Sequence, residues 1–408
     1  MHSTIKQIEK GICAPQGFKA GGLHCGIAKS LEKKDLGLIA SELPCSVAGV
    51  FTKNKVQAAP ITVTKRHIAN GRAQAIIVNS GNANACTIDG EDVASKMCAL
   101  TAEALGIPID DVVVASTGVI GQPLNIQPVD ANIGRLSDSL SCDGGDDCAR
   151  SIMTTDLVKK EIAVSFELAG KIVKIGGIAK GSGMIHPNMG TMLTFLSTDV
   201  DISSFMLDKA LRIVVNDTYN MISVDGDTST NDTAVILANG MAGNPKIEDE
   251  GEEFRGFVLA LMYVCIYMAR MVARDGEGAT KLLECQVNGA KDEENARLLA
   301  KSVLSSNLFK AAMFGADANW GRVLCAMGYS GADFDPKTVS VAFGSAAGSV
   351  TVCKDGCAVS FSEETAKKIL SEENIEIKID LAGGEGTAVG WGCDLTYDYV
   401  KINGDYRS

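Results

Sequence analysis

The group best suited to covalent chemistry in this chain is a threonine that follows glycine in a turn-rich stretch opening into an apolar run. The stretch is Ala179 to Phe195, AKGSGMIHPNMGTMLTF, and the residue is Thr191. Gly190 carries no side chain, so the peptide bond between Gly190 and Thr191 can be approached closely or twisted. Cutting that bond would give Thr191 a free α-amine beside its hydroxyl. Such an amine has a pKa near 7.7–8.0, against about 10.4 for lysine, and can act as general base for the adjacent hydroxyl. The same pattern also suits a glycine-rich hairpin before a strand, in which Thr191 merely favours strand geometry.

Three further segments carry groups such a nucleophile would need. Ser116-Thr117-Gly118-Val119-Ile120-Gly121 follows an apolar run. A threonine hydroxyl beside a glycine N–H can hold a developing oxyanion, although an ordinary strand-to-loop turn reads the same way. Arg274-Asp275-Gly276-Glu277-Gly278-Ala279-Thr280-Lys281 places two carboxylates between glycines. Glu277 there can pair with a substrate ammonium group, or the stretch is a helix C-cap with solvated charges. Asp225-Gly226-Asp227-Thr228-Ser229-Thr230-Asn231-Asp232 has the alternation of a calcium loop, but the twelfth position is Ile236 and not Glu. An EF-hand therefore fails, and a polar turn lining a substrate site is expected. No Walker loop, GxSxG elbow or dinucleotide fingerprint is present. The four histidines have no ligand spacing, and only His186 lies near Thr191. No metal site is expected.

Elements able to position these groups alternate along the chain. Ala75–Val78 and Asp111–Ser116 read as buried strands, with the helix Glu91–Leu105 between them. Glu161–Leu168 and Lys171–Ile175 read as a hairpin across Ala169-Gly170. Thr191–Leu196 reads as a strand, and Ser203–Asn216 and Glu252–Ala273 as helices. Thr338–Phe343, Ser349–Cys353, Ile375–Leu381 and Thr387–Trp391 read as strands between glycine-rich turns. An α+β or layered α/β fold follows.

The chain has 408 residues, 46% of them apolar and 22% charged, which excludes a disordered chain and allows two or three domains. Its 38 Lys+Arg against 50 Asp+Glu give a formal charge of −12, and basic runs never exceed a pair. Nucleic acid is not an expected partner. Met1 to Ala20 contains four charged residues and no apolar core, so no secretory signal is expected. The apolar window Phe257 to Ala269 is short for a membrane span and reads as a buried helix. The thirteen scattered cysteines fit reduced thiols in a cytoplasmic protein.

Together these segments resemble one family over nearly the whole chain: the glutamate N-acetyltransferases of arginine biosynthesis, also called ornithine acetyltransferases. The resemblance rests on Ala14-Pro15-Gln16-Gly17-Phe18, Ala48-Gly49-Val50-Phe51-Thr52, Asn79-Ser80-Gly81-Asn82-Ala83-Asn84-Ala85 and the Ser116–Gly121 segment. It continues through Lys180-Gly181-Ser182-Gly183-Met184-Ile185 to Thr191-Met192-Leu193, then Asp275–Lys281, Asn319-Trp320-Gly321-Arg322 and Tyr399–Asn403. It implies an N-terminal-nucleophile-like fold of the ornithine acetyltransferase/aminopeptidase type. It also implies self-cleavage between Gly190 and Thr191, giving an α piece of residues 1–190 and a β piece of residues 191–408. Thr191 would be the nucleophile and Thr117 and Gly118 the oxyanion hole. Thr154 or Thr155, Lys180, Thr191, Glu277, Asn403 and Ser408 would bind substrate. The implied partners are N2-acetyl-L-ornithine and L-glutamate in a heterotetramer of two α and two β pieces. No cofactor is implied, and acetyl-CoA enters only as a second acetyl donor.

Three positions depart from the family pattern: Gly190 stands where Ala is usual, Ala318 where Pro is usual, and Ser408 where Thr is common. None removes a proposed catalytic group. Two other readings compete: an amide hydrolase or aminopeptidase on a related fold, and an uncleaved amino-acid-binding protein.

Overall fold

Two sheets with helices between and around them make a layered α+β fold. The structure, a computed structural model, describes residues 4–186 and 192–405. Gly190, Thr191 and Ser408 therefore lie outside the described residues, as do Pro187, Asn188 and Met189.

Among the described residues, nine strands form the first sheet. Eight run in the spatial order Lys6–Ile8, Lys160–Leu168, Lys171–Lys180, Leu193–Thr198, Thr233–Ala238, Leu36–Phe51, Arg72–Asn79 and Val112–Ser116, and Phe18–Leu23 pairs beside Leu36–Phe51. The expected hairpin is present, with Leu168 opposite Lys171 and Lys160 opposite Ala179. The strand expected from Thr191 begins at Leu193. Its N-terminal residue pairs with Lys180 on one side and Thr233 on the other.

Apolar runs in this sheet are continuous because both faces are covered. Successive side chains point to opposite faces. Ile76, Val78, Val113 and Ala115 enter one core, and Ala75, Ile77, Val112 and Val114 enter another with Val93, Ala94 and Met97 of helix Gly90–Leu105. The second sheet has seven strands among the described residues. At its centre, Asn374–Asp380 pairs in parallel and Gly386–Cys393 antiparallel with Leu282–Ala290.

Helix Glu252–Arg274 joins the layers. It packs on the hairpin of the first sheet and on Leu282–Ala290 and Gly386–Cys393 of the second. Phe257, Leu261, Val264, Met268 and Val272 recur at three- and four-residue spacing on its buried face. At 23 residues it is longer than its apolar window and, by length and composition, long enough to cross a bilayer. Its place between two sheets makes it a core helix. Ser203 accepts a hydrogen bond from the Met206 N–H and caps helix Ser204–Asp217, a contact of about 1 kcal/mol in such positions.

Candidate active site

The parallel strands Arg72–Asn79 and Val112–Ser116 end side by side, and their carboxyl ends build one wall of a cleft. Ser116 Oγ donates to Asn79 Oδ1 (2.6 Å), and Asn79 Nδ2 donates to the Asn82 carbonyl (2.9 Å). Asn231 Nδ2 closes the corner by donating to the carbonyls of Ser116 (2.8 Å) and Ala83 (2.6 Å). Gly118 sits at φ +132°, and a Cβ there would come within 2.4–2.5 Å of backbone atoms of Gly81 and Asn82. Only glycine fits. Among the described residues, nothing accepts from the Gly118 N–H.

Lys180, the last residue of its strand, reaches across to this wall. Its Nζ lies 3.3 Å from Thr117 Oγ1 and can donate to it. Burial lowers its pKa and the neighbouring Lys160 lowers it further, while Asp156, Asp232 and Glu277 work in the opposite direction.

Glu277 forms the facing wall. Its N–H donates to the Ser182 carbonyl (3.1 Å), and its Oε2 accepts from Asn403 Nδ2 (2.8 Å). Gly183 faces its carboxylate so closely that a Cβ would lie 2.4–2.5 Å from it. Thr154, Thr155, Ser229, Thr230, Asn231 and Met184 complete the lining of a cavity of about 150 Å³ that includes Thr117, Gly118, Lys180, Glu277 and Asn403. A larger cleft of about 480 Å³ lies elsewhere, over Gly21, Gly22 and Arg135, and contains none of the candidate residues.

The structure thus brings together Thr117, Gly118, Thr154, Thr155, Lys180, Glu277 and Asn403, which are scattered over 287 positions of the sequence. Gly190, Thr191 and Ser408 fall outside the described residues. The described chain resumes at Met192, whose carbonyl accepts from the Thr233 N–H (2.9 Å) beside the Asn231 corner. His186 is tied to Ser223 Oγ (3.0 Å), and burial lowers its pKa to about 4. It is neutral at pH 7. Asp225 accepts the N–H groups of Met184 (2.6 Å) and Ile185 (2.8 Å), so the polar turn braces the Lys180–Ile185 loop while Ser229, Thr230 and Asn231 line the cavity.

The sequence reading missed a buried ion network behind the cavity. Lys160 Nζ contacts Asp156 Oδ1 (2.7 Å) and Asp275 Oδ2 (2.6 Å). Asp275 is therefore not a solvated cap charge, because it accepts from the Leu157 and Val158 N–H groups and from Lys160. Burial pushes Asp156 up, but the charges of Lys160 and Lys180 and the hydrogen bonds from Lys160 and the Thr154 N–H outweigh it. They hold this carboxyl well below the usual range. The four-residue spacing of Asp156 and Lys160 was no usable signal, because side chains at i and i+4 have no reason to meet outside a helix.

Chemically, the cavity offers a hydroxyl and a free N–H for an oxyanion, a cation for a carboxylate, and a carboxylate for an ammonium group. Among the described residues, no group of three His, Cys, Asp or Glu side chains is arranged around a common point.

Comparison with known proteins shows what this chain is similar to. The ArgJ family model matches residues 19–408. The arginine biosynthesis bifunctional protein ArgJ of Caldanaerobacter subterraneus subsp. tengcongensis is 53% identical over 395 residues, 97% of this chain and 98% of that protein. ArgJ 1 of Clostridium acetobutylicum is 51% identical over 407 residues, 99% of this chain and all of that protein. The crystal structure of the Bacillus halodurans ArgJ protein superposes with a TM-score of 0.50 at 45% identity, over 98% of its own chain and 52% of this one.

Proposed function

The chain belongs to the ArgJ family, and on that basis we propose that it is an acetyltransferase of arginine biosynthesis that moves acetyl from N2-acetyl-L-ornithine to L-glutamate. The observation that carries this reading is the single cavity uniting Thr117, Gly118, Lys180 and Glu277. Thr191 is the proposed nucleophile, freed by self-cleavage after Gly190. Its α-amine takes the hydroxyl proton as the oxygen attacks the acetyl carbonyl. The oxyanion is met by the Thr117 hydroxyl and the Gly118 N–H. Collapse expels ornithine, which takes the proton, and leaves an acetyl ester on Thr191. Glutamate then attacks the ester through the same steps in reverse order, which gives ping-pong kinetics.

Lys180, with Thr154 or Thr155, meets the α-carboxylate that ornithine and glutamate share. Glu277, held by Asn403, meets the side-chain ammonium of ornithine, and Ser408 completes substrate binding. Acetyl-CoA is a second proposed donor, in keeping with the word bifunctional in the relatives' names. The proposed assembly is cytoplasmic, a heterotetramer of two pieces spanning 1–190 and two spanning 191–408.

One comparison supports the two-piece reading. The Bacillus halodurans chain is matched over nearly all its length yet covers 52% of this sequence, close to the share taken by residues 191–408. Denaturing gels and intact masses of wild type and Thr191→Ala test it. Two pieces of about 20 and 23 kDa are expected, scaling the 42.7 kDa chain by length, with the variant left whole. An uncut wild type with full acetyl transfer would contradict it.

A further inference from the structure

Lys160 is wholly buried, and its ammonium group lies between two carboxylates that are themselves buried. A buried ion network contributes little net stability over well-packed apolar residues of the same volume. Its presence behind the cavity therefore calls for a reason other than stability.

The hydrogen bonds supply one. On one side, Asp156 Oδ1 also accepts the Gly181 N–H (2.8 Å), next to Lys180, and Asp156 Oδ2 accepts the Thr154 N–H (2.9 Å). This carboxylate fixes the backbone of the cation-bearing end of the cavity. On the other side, the Asp275 carbonyl accepts from Ser182 Oγ (2.7 Å), and the Ser182 carbonyl accepts the Glu277 N–H (3.1 Å). Asp275 fixes the anion-bearing end. Lys160 does not line the cavity. It touches the Asp156 carboxylate, which fixes one end, and the side chain of Asp275, whose backbone carbonyl fixes the other, and it joins residues on either side of the 190–191 bond.

We propose that Lys160 is a positioning residue that sets the separation between the Lys180 and Glu277 ends of the cavity, and thereby the length of amino-acid side chain the site accepts. The proposal rests on the reading of Lys180 and Glu277 as the carboxylate and ammonium anchors. On that reading ornithine, whose α-carboxylate and side-chain ammonium meet the two anchors, is the ligand of matched length, and 2,4-diaminobutyrate, one methylene shorter, is the mismatched one. Discrimination across one methylene is about tenfold or more in a rigid site. Releasing the two carboxylates from Lys160 lets the ends move relative to each other, and the discrimination collapses.

The test is titration calorimetry of ornithine and 2,4-diaminobutyrate on purified wild type, Lys160→Met and Lys160→Arg. Wild type should favour ornithine by about tenfold or more, Lys160→Met by less than about threefold, with Lys160→Arg recovering part of the preference. Lys160→Met leaves two buried carboxylates without their cation and can fail to fold. In that case Lys160→Met/Asp275→Asn, which neutralises one of them, carries the same measurement. A folded variant that loses affinity for both ligands equally, keeping the wild-type ratio, overturns the proposal and leaves Lys160 a structural residue. A wild type that binds neither ligand removes the anchor reading itself.

Discussion

Thr117 has one hydroxyl and two demands on it. Its oxygen lies within reach of the Lys180 ammonium, and its proton is the one an oxyanion needs. These demands are compatible, because a hydroxyl accepts and donates at the same time, and a donor polarised by a nearby cation is the stronger for it. Thr117→Ala should lower kcat about 10²- to 10³-fold with little change in KM, while Thr117→Ser keeps most of the activity, as read by steady-state acetyl transfer to glutamate. Lys180 carries a pH consequence. Burial lowers its pKa, so it loses its proton at a lower pH than an ordinary lysine near 10.4. The protonated form is the one that holds a carboxylate. KM for N2-acetylornithine should therefore climb as pH rises through the lowered value, before free lysine would titrate. Lys180→Arg, which stays charged, should show no such rise in a pH series of initial rates.

The C-terminal helix Tyr397–Asp405 is an element with no buried residue. It is held at its start by Thr396 Oγ1 donating to the Gly278 carbonyl (2.7 Å) and by an edge-on ring contact between Tyr397 and Phe314. Its link to the cavity is Asn403, whose amide donates to Glu277. Asn403→Ala should raise KM for N2-acetylornithine about fivefold, the worth of one net hydrogen bond. Being exposed, the change should leave the melting temperature within about 2 °C of wild type, measured by circular dichroism.

Elements also explain what the sequence could and could not reveal. The hairpin, the helix Gly90–Leu105 and the strand ending at Ser116 were legible because their periodicity and turns are local. Lys180, Thr117 and Glu277 were legible as members of ordered motifs. The Asp156–Lys160–Asp275 network was not, because its third member is 115 residues from Lys160 and only the packing of the hairpin on helix Glu252–Arg274 brings them together. Asp275 read as a solvated cap charge for the same reason: a helix C-terminus is exposed by default, and this one is covered by the loop at Leu157 and Val158. At Ala318, where the resemblance leads one to expect proline, the next residue caps a helix: the Asn319 side chain accepts from the Arg322 N–H at the start of Trp320–Gly328.

At the scale of the molecule, a cut after Gly190 would not separate the two pieces. Strands Leu193–Thr198 and Thr233–Ala238 lie between Lys171–Lys180 and Leu36–Phe51, so residues from beyond the cut fill the middle of a sheet whose flanks precede it. The Lys160–Asp275 pair and the Asn231 clamp on Ser116 and Ala83 cross the same divide. The proposed oxyanion donors and Lys180 precede the proposed cut, Glu277 follows it, and the strand ladder across the divide would hold them in one cavity. In the proposed reaction acetyl rests on Thr191 between the two half-reactions. Intact mass spectrometry of the protein incubated with N2-acetylornithine alone, then with glutamate added, tests it most directly. The piece beginning at Thr191 should gain the mass of one acetyl group and lose it on adding glutamate, with the label located on its first residue by peptide mapping. A protein that forms N-acetylglutamate at full rate while neither piece ever gains that mass would contradict the account and require direct transfer between two bound substrates.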